Sequence, residues 1–192
     1  MAWRSRVPPR QLAPGTRASF DRSSSAAAFS VSGYFALDPR PLCADDQVGA
    51  RVLIIGALGV TPYVDRAMEV LALAERGHDP EHRALVIARD GTVAGLALYG
   101  VIAGADGAAR LHVAVLAPGV DADDVGARLL SAVEALVAAE GARFLLAEMP
   151  DDPAIGAIHT LLRTHGFQED ARVPDFYREG IALTFLRRPL AS

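Results

Sequence analysis

The chain has 192 residues, 51% hydrophobic and 22% charged, which suits one globular domain with a full core and excludes a peptide, a disordered tail or a large multidomain assembly. All 19 basic residues are arginine, and neither lysine nor asparagine occurs, so a P-loop lysine and a Schiff-base enzyme are ruled out and codon bias is the simple cause. The net charge of −4 divides into +4 over residues 1–30 (Arg4, Arg6, Arg10, Arg17 and Arg22 against Asp21) and −8 over the rest, and so acidic a body argues against nucleic acid as a partner.

In chain order, Pro8, Pro9, Pro14 and the Ser23–Ser25 run mark residues 1–30 as an Arg/Ser-rich flexible tail, with the domain proper spanning 31–192. A transit peptide shares that composition, although a simple tail accounts for it as well. A first strand is expected over Tyr34–Leu42. A helix should then open at Asp45 or Asp46 and carry Val48, Val52, Ile55 and Leu58 on one face. Thr61-Pro62 reads as an N-cap with proline at the first helical position, starting a second helix that runs to Gly77. Strands over Ala84–Ala88 and Val93–Ile102 flank Asp90-Gly91, a hairpin signal, so these two are expected to be antiparallel neighbours. The run Val93–Ala105 is too short to span a membrane, which needs about 18–20 apolar residues, and reads as a buried strand. A strand over Arg110–Leu116 ends at Pro118. A helix from near Asp121 to Gly141 follows, with Val125, Leu129, Leu130, Val133, Leu136 and Val137 as its apolar stripe. Phe144–Met149 is the next strand, Asp152-Pro153 caps a helix through Ile155, Ile158, Leu161 and Leu162 to Gly166, and Phe167–Arg172 and Ile181–Arg187 close the chain as strands. The order β, α, α, β, β, β, α, β, α, β, β predicts an α/β domain with a mixed, mostly antiparallel central sheet and helices on both faces. The lone Cys43 forms no internal disulfide and suits a reducing cytoplasm, and no cluster has metal-ligand spacing.

Four segments in this order resemble the GNAT superfamily of N-acetyltransferases, and the likeness covers Tyr34 to Leu190. They are Arg40-Pro41-Leu42 followed by Asp45-Asp46; Pro118 eight residues before Gly126, which leads into Ala127-Arg128-Leu129-Leu130; His165-Gly166-Phe167; and Val173-Pro174-Asp175-Phe176-Tyr177 followed by Gly180. The resemblance implies an acetyl-CoA donor. Its pantetheine arm would lie along Val115, Leu116 and Ala117, as an added strand would. Its diphosphate would lie on the helix N-terminus formed by Asp121, Asp124, Val125, Gly126 and Ala127. The resemblance also implies an amine acceptor, belonging to a small molecule or a protein.

The sequence departs from the family's pattern at two places. Asp121 and Asp124, with Asp123 between them, stand where the phosphate loop has glutamine or arginine and glycine, and only Gly126 is kept. Leu162 stands where a tyrosine often returns a proton to the thiolate. His159 and Tyr177 are candidates for that donor. For the base, His112 on the central strand and Glu148 at the carboxyl end of the next strand are the candidates. Asp151 and Asp152 are better explained as helix caps. Two functions stay open: an N-acyltransferase, or a GNAT-like domain that has lost acyl-CoA and serves as a binding or assembly module, for instance as a homodimer.

Overall fold

The computed structural model describes residues 38–77, 79–89 and 91–190. The tail at residues 1–30, the first four residues of the strand expected over Tyr34–Leu42, and Asp90 lie outside them. The elements are β1 (Arg40–Pro41), α1 (Gln47–Leu58), α2 (Val64–Ala74), β2 (Arg83–Arg89), β3 (Thr92–Val101), β4 (Ala108–Leu116), α3 (Ala127–Ala139), β5 (Phe144–Pro150), α4 (Gly156–Thr164), β6 (Gln168–Arg178) and β7 (Ile181–Pro189). This is the expected order, and the seven strands form one sheet, β1-β2-β3-β4-β5-β7-β6. Every pairing is antiparallel except β4 with β5.

The start of the domain is fixed by charge. Asp46, almost buried, accepts two bonds from the Arg40 guanidinium at 2.5 and 2.8 Å and one from the Cys43 N–H at 3.0 Å. The guanidinium beside it holds the Asp46 carboxyl well below the usual carboxylate range. β1 is thereby tied to the start of α1.

The face of α1 differs from expectation. Ala50, Leu53, Ile54 and Leu58 are buried, whereas Val48, Val52 and Ile55 are 72%, 64% and 54% exposed. Both stripes have helical period, and size decides between them. A Cβ on Gly49 would stand 2.8 Å from Val93 Cγ2, so the side bearing Gly49 and Ala50 is the one that approaches β3 closely. The second helix also starts later than Pro62. Thr61 Oγ1 donates to the Leu58 carbonyl at 2.7 Å and accepts the Tyr63 N–H at 3.3 Å, so Thr61–Tyr63 form a turn. In α3 the stripe holds at Leu129, Leu130, Val133 and Val137, but Leu136 is exposed. β6 runs on through the closing motif, with its ladder interrupted between Val173 and Arg178, so that residues 174–177 bulge out of register.

Two features position the functional cleft. β4 and β5 pair only from Ala108 with Phe144 to Leu111 with Ala147. Beyond that point β4 stays with β3 as far as Leu116, and β5 stays with β7 as far as Pro150. The sheet therefore splits along its middle.

Candidate active site

The split opens two cavities that share Ala114, Ile155 and Ile158. The first, of about 340 Å³, lies where the strands part, between β4, β5, the α1 end, the start of α2, α4 and the β6 bulge. The second, of about 300 Å³, follows β4 from Ala114 to Pro118 and is closed on its other side by α4. No charged side chain lines the second cavity. From His112 to Leu116 the β4 edge that faces it has no strand partner, and such an edge offers backbone donors and acceptors to an extended chain.

Val115, Leu116 and Ala117, the residues assigned to the pantetheine arm by resemblance, line this second cavity together with Ala122. At its end the chain makes a wide turn, Ala122–Gly126, of π-helical geometry before α3 begins. Val125 and Gly126 are buried in this turn, and a Cβ on Gly126 would stand 2.5 Å from Leu161 Cδ1, so the glycine lets α4 approach. The aspartates differ in their engagement. Asp121 is the N-cap, its carboxylate accepting the Asp123 N–H at 2.9 Å. Asp124 accepts a bond from Arg128 Nε at 2.6 Å one turn later, with both side chains about half exposed. Asp123 is exposed and has no side-chain partner among the described residues. One carboxylate thus turns in to the helix and one is neutralised.

Among the candidate catalytic residues, Glu148, His112 and Tyr177 line the first cavity. Glu148 is the first β5 residue after the strands part and forms an ion pair with Arg110 at 2.9 Å. Tyr177 reaches in from the bulge, with its ring edge-to-face with Tyr63 at 5.6 Å. Burial, followed by the Glu148 charge, pushes its hydroxyl above the ordinary tyrosine value, so it keeps its proton. His112 Nε2 donates to the Glu81 carbonyl at 3.0 Å, and its ring stacks on His82 at 5.1 Å. Burial lowers it to about 4, which leaves it neutral at pH 7 and a weak base. β3 carries a glycine opposite this turn for a steric reason: a Cβ on Gly100 would stand 2.1 Å from the Glu81 carbonyl oxygen that His112 uses. His159 is placed differently. It is 8% exposed, its Nε2 donates to the Pro150 carbonyl at 2.7 Å, and it lines neither cavity.

Several lining residues escape sequence reasoning. Tyr63, Arg66 and Arg178 face the first cavity, from the α2 start and the end of β6. Tyr63 donates to Asp152 Oδ2 at 2.8 Å and Arg178 donates to the same oxygen at 2.7 Å, while the other Asp152 oxygen caps Ala154 as expected. Burial and this hydrogen bond push the Tyr63 hydroxyl up to about 12. Arg178 directly follows the closing motif, and this was the only available signal. His82 bonds Asp79 through Nδ1 at 2.6 Å, whereas His78 lies outside the described residues. Among the described residues no group of side chains is set to hold a metal, and no helix is long and apolar enough to cross a membrane.

Solved structures share this architecture. A Desulfovibrio desulfuricans protein assigned to the GNAT acetyltransferase family is 25% identical, with a TM-score of 0.69 over 80% of this chain and 98% of its own. The yncA protein of Salmonella typhimurium, whose structure holds its cofactor acetyl-CoA, is 20% identical, with a TM-score of 0.63 over 80% of this chain and 94% of its own. The aminoglycoside 6'-N-acetyltransferase of Enterococcus faecium is 13% identical, with a TM-score of 0.64 over 80% of this chain and 97% of its own. No protein-family model and no curated protein matches the sequence.

Proposed function

We propose that this chain, which belongs to the GNAT superfamily, is an N-acyltransferase that moves an acetyl group from acetyl-CoA to a primary amine of a small molecule or protein. The supporting observation is the split between β4 and β5, with an uncharged cavity along the open β4 edge and a mixed polar cavity at its inner end. The residues fit such a donor. An extended amide-containing arm matches the free edge from His112 to Leu116, and the apolar wall suits its methylenes. The turn at Ala122–Gly126 opens α3, whose dipole favours an anion, and Asp124 is already matched by Arg128.

Acetyl-CoA supplies the activated thioester, and the chain supplies position and proton handling. Glu148 receives a proton from the incoming ammonium, directly or through one water, leaving a nucleophilic amine. Tyr177, kept protonated by burial, offers its hydroxyl to the sulfur that departs. His112, whose Nε2–H is committed to the Glu81 carbonyl, shapes the wall of the first cavity. Direct transfer needs both ligands in the cleft at once, which the two adjoining cavities allow.

Titration calorimetry with acetyl-CoA, followed by an assay for thiol release in the presence of amines, tests this reading. Saturable binding with amine-dependent release supports it. The absence of binding refutes it and favours the alternative, a GNAT-like binding or assembly module.

A further inference from the structure

We propose that the acceptor is a free α-amino acid with an apolar side chain, held by its carboxylate as well as its amine. This deepens the acyltransferase reading and rests on it. The charged side chains lining the first cavity are Arg66, Arg178 and Glu148, two guanidiniums and one carboxylate, on a body whose net charge over residues 31–192 is −8. An amine that also bears an anion complements this set, whereas a polycation would set its second charge against the arginines.

Both arginines have capacity to spare. Arg178 donates one bond to Asp152, which is nearly buried and already holds the Tyr63 hydroxyl and the Ala154 N–H. The Arg178 side chain is 55% exposed, and its remaining N–H groups have no other partner among the described residues. Among the described residues Arg66 pairs only with Glu69, one turn on, with both side chains more than 60% exposed. Such a pair exchanges readily for a better-placed carboxylate, and guanidiniums bind carboxylates in two-point geometry. The second cavity has no charged lining, so these arginines serve the acceptor end of the cleft.

The rest of the first cavity suits the side chain. Leu58, Pro62, Ala67, Met149 and Leu162 supply apolar surface, and Tyr63 and Tyr177 supply ring faces. His112 is uncharged and bonded to Glu81, so it does not compete for the carboxylate. In the transfer the amine nitrogen forms a bond to the acetyl carbonyl carbon as the C–S bond breaks and its electron pair passes to sulfur. Of the two protons the ammonium loses, one leaves through Glu148 to solvent; the second, shed by nitrogen as the C–N bond forms, replaces the one Tyr177 gives to sulfur, which departs as the thiol.

The test uses the full chain, acetyl-CoA and three matched amines: L-leucine, L-leucinamide and 3-methylbutylamine. Acetyl-CoA binding is measured first by calorimetry without acceptor, so failure of the acyltransferase reading is recognised separately. With binding established, kcat/KM for leucine should exceed that for both uncharged-end analogues by about tenfold to a hundredfold, the worth of one or two charge-assisted bonds. Arg66→Gln and Arg178→Gln should each raise KM for leucine about tenfold or more, while the Kd for acetyl-CoA holds. Should Arg178→Gln fail to fold for want of an Asp152 partner, Arg66→Gln and the wild-type series still decide. Equal or better turnover of leucinamide or 3-methylbutylamine overturns the proposal. So does turnover of a peptide N-terminus or spermidine in preference to leucine.

Discussion

Substitution of the aspartates at the mouth of the second cavity separates capping from charge. Asp121 caps the turn through the Asp123 N–H at 2.9 Å, so Asp121→Ala should cost about 1 kcal/mol of stability. For a domain of this size that is a fall in Tm of roughly 2–4 °C. Asn caps nearly as well as Asp, so Asp121→Asn should keep Tm within about 1 °C while removing the charge. If a diphosphate sits on this turn, a carboxylate near 4 Å repels it by about 1 kcal/mol in water and several at an effective dielectric near 20. The three side chains are solvent-exposed, so the lower end applies, close to fivefold in Kd for each charge removed. Asp121→Asn and Asp123→Asn should therefore each tighten acetyl-CoA about fivefold. Asp124→Asn should do less, because Arg128 at 2.6 Å already neutralises that carboxylate. The gains should shrink as salt rises from about 20 to 500 mM. Calorimetry and thermal melts read both effects. Unchanged affinity in Asp121→Asn and Asp123→Asn at low salt would refute the placement of the diphosphate, whatever happens to Tm.

Three further outcomes follow from the same geometry. His112 sits at about 4 when folded against 6.5 for a free imidazole, so between those values the unfolded chain holds more protons and stability rises with pH. The contribution is complete above about pH 6.5 and about 2–3 kcal/mol of it is lost by pH 4.5; urea melts of the wild type and His112→Gln at pH 7.5 and 4.5 should differ by that amount, and parallel pH dependence would refute the burial argument. Gly100→Ala sets a Cβ against the Glu81 backbone at 2.1 Å, where no side chain can yield, so it should cost at least about 2 kcal/mol, or 4–8 °C in Tm; an unshifted melt would show that the Pro80–His82 turn moves freely. Glu148→Gln should lower kcat by about a hundredfold or more while acetyl-CoA still binds, and a rate within threefold of wild type would remove Glu148 from the proton path.

Much of the fold is legible because its signals are local. The interval from Pro118 through Gly126 into Leu129-Leu130 specifies a strand, a turn and a helix within a short stretch, and Gly126 leaves room for the close approach of Leu161. The α1 face was not legible, since its two periodic stripes compete and the choice depends on the closeness of Val93, more than forty residues away. The residues given to the donor, Val115 to Ala127, lie on one continuous segment, whereas α1 and α4 complete the lining of the second cavity. The acceptor half is assembled from the α2 start, β4, β5 and the β6 bulge, so Tyr63, Arg66 and Arg178 meet only in three dimensions. His159 shows the converse: a polar residue on a helix, whose buried place is explained only by the Pro150 carbonyl that receives its N–H.

The cleft is a built feature of the sheet. A frayed strand end would lose its partners on both sides, but here each wall keeps one full ladder. β4 is held by β3 to Leu116 and β5 by β7 to Pro150, five residues beyond their last shared pair on one wall and three on the other. The parted edges therefore stay in place without a ligand, and an extended arm entering between them pays little to order the protein. The polar groups follow the same division. Glu148 is the first β5 residue past the split, His112 the first on β4, and the β6 bulge carries Tyr177 and Arg178 across the opening. Charge gathers at the inner cavity and is absent from the lining of the outer one. A donor that is apolar along its arm and anionic at its far end, meeting a small zwitterionic acceptor at the split, satisfies both halves of this arrangement at once.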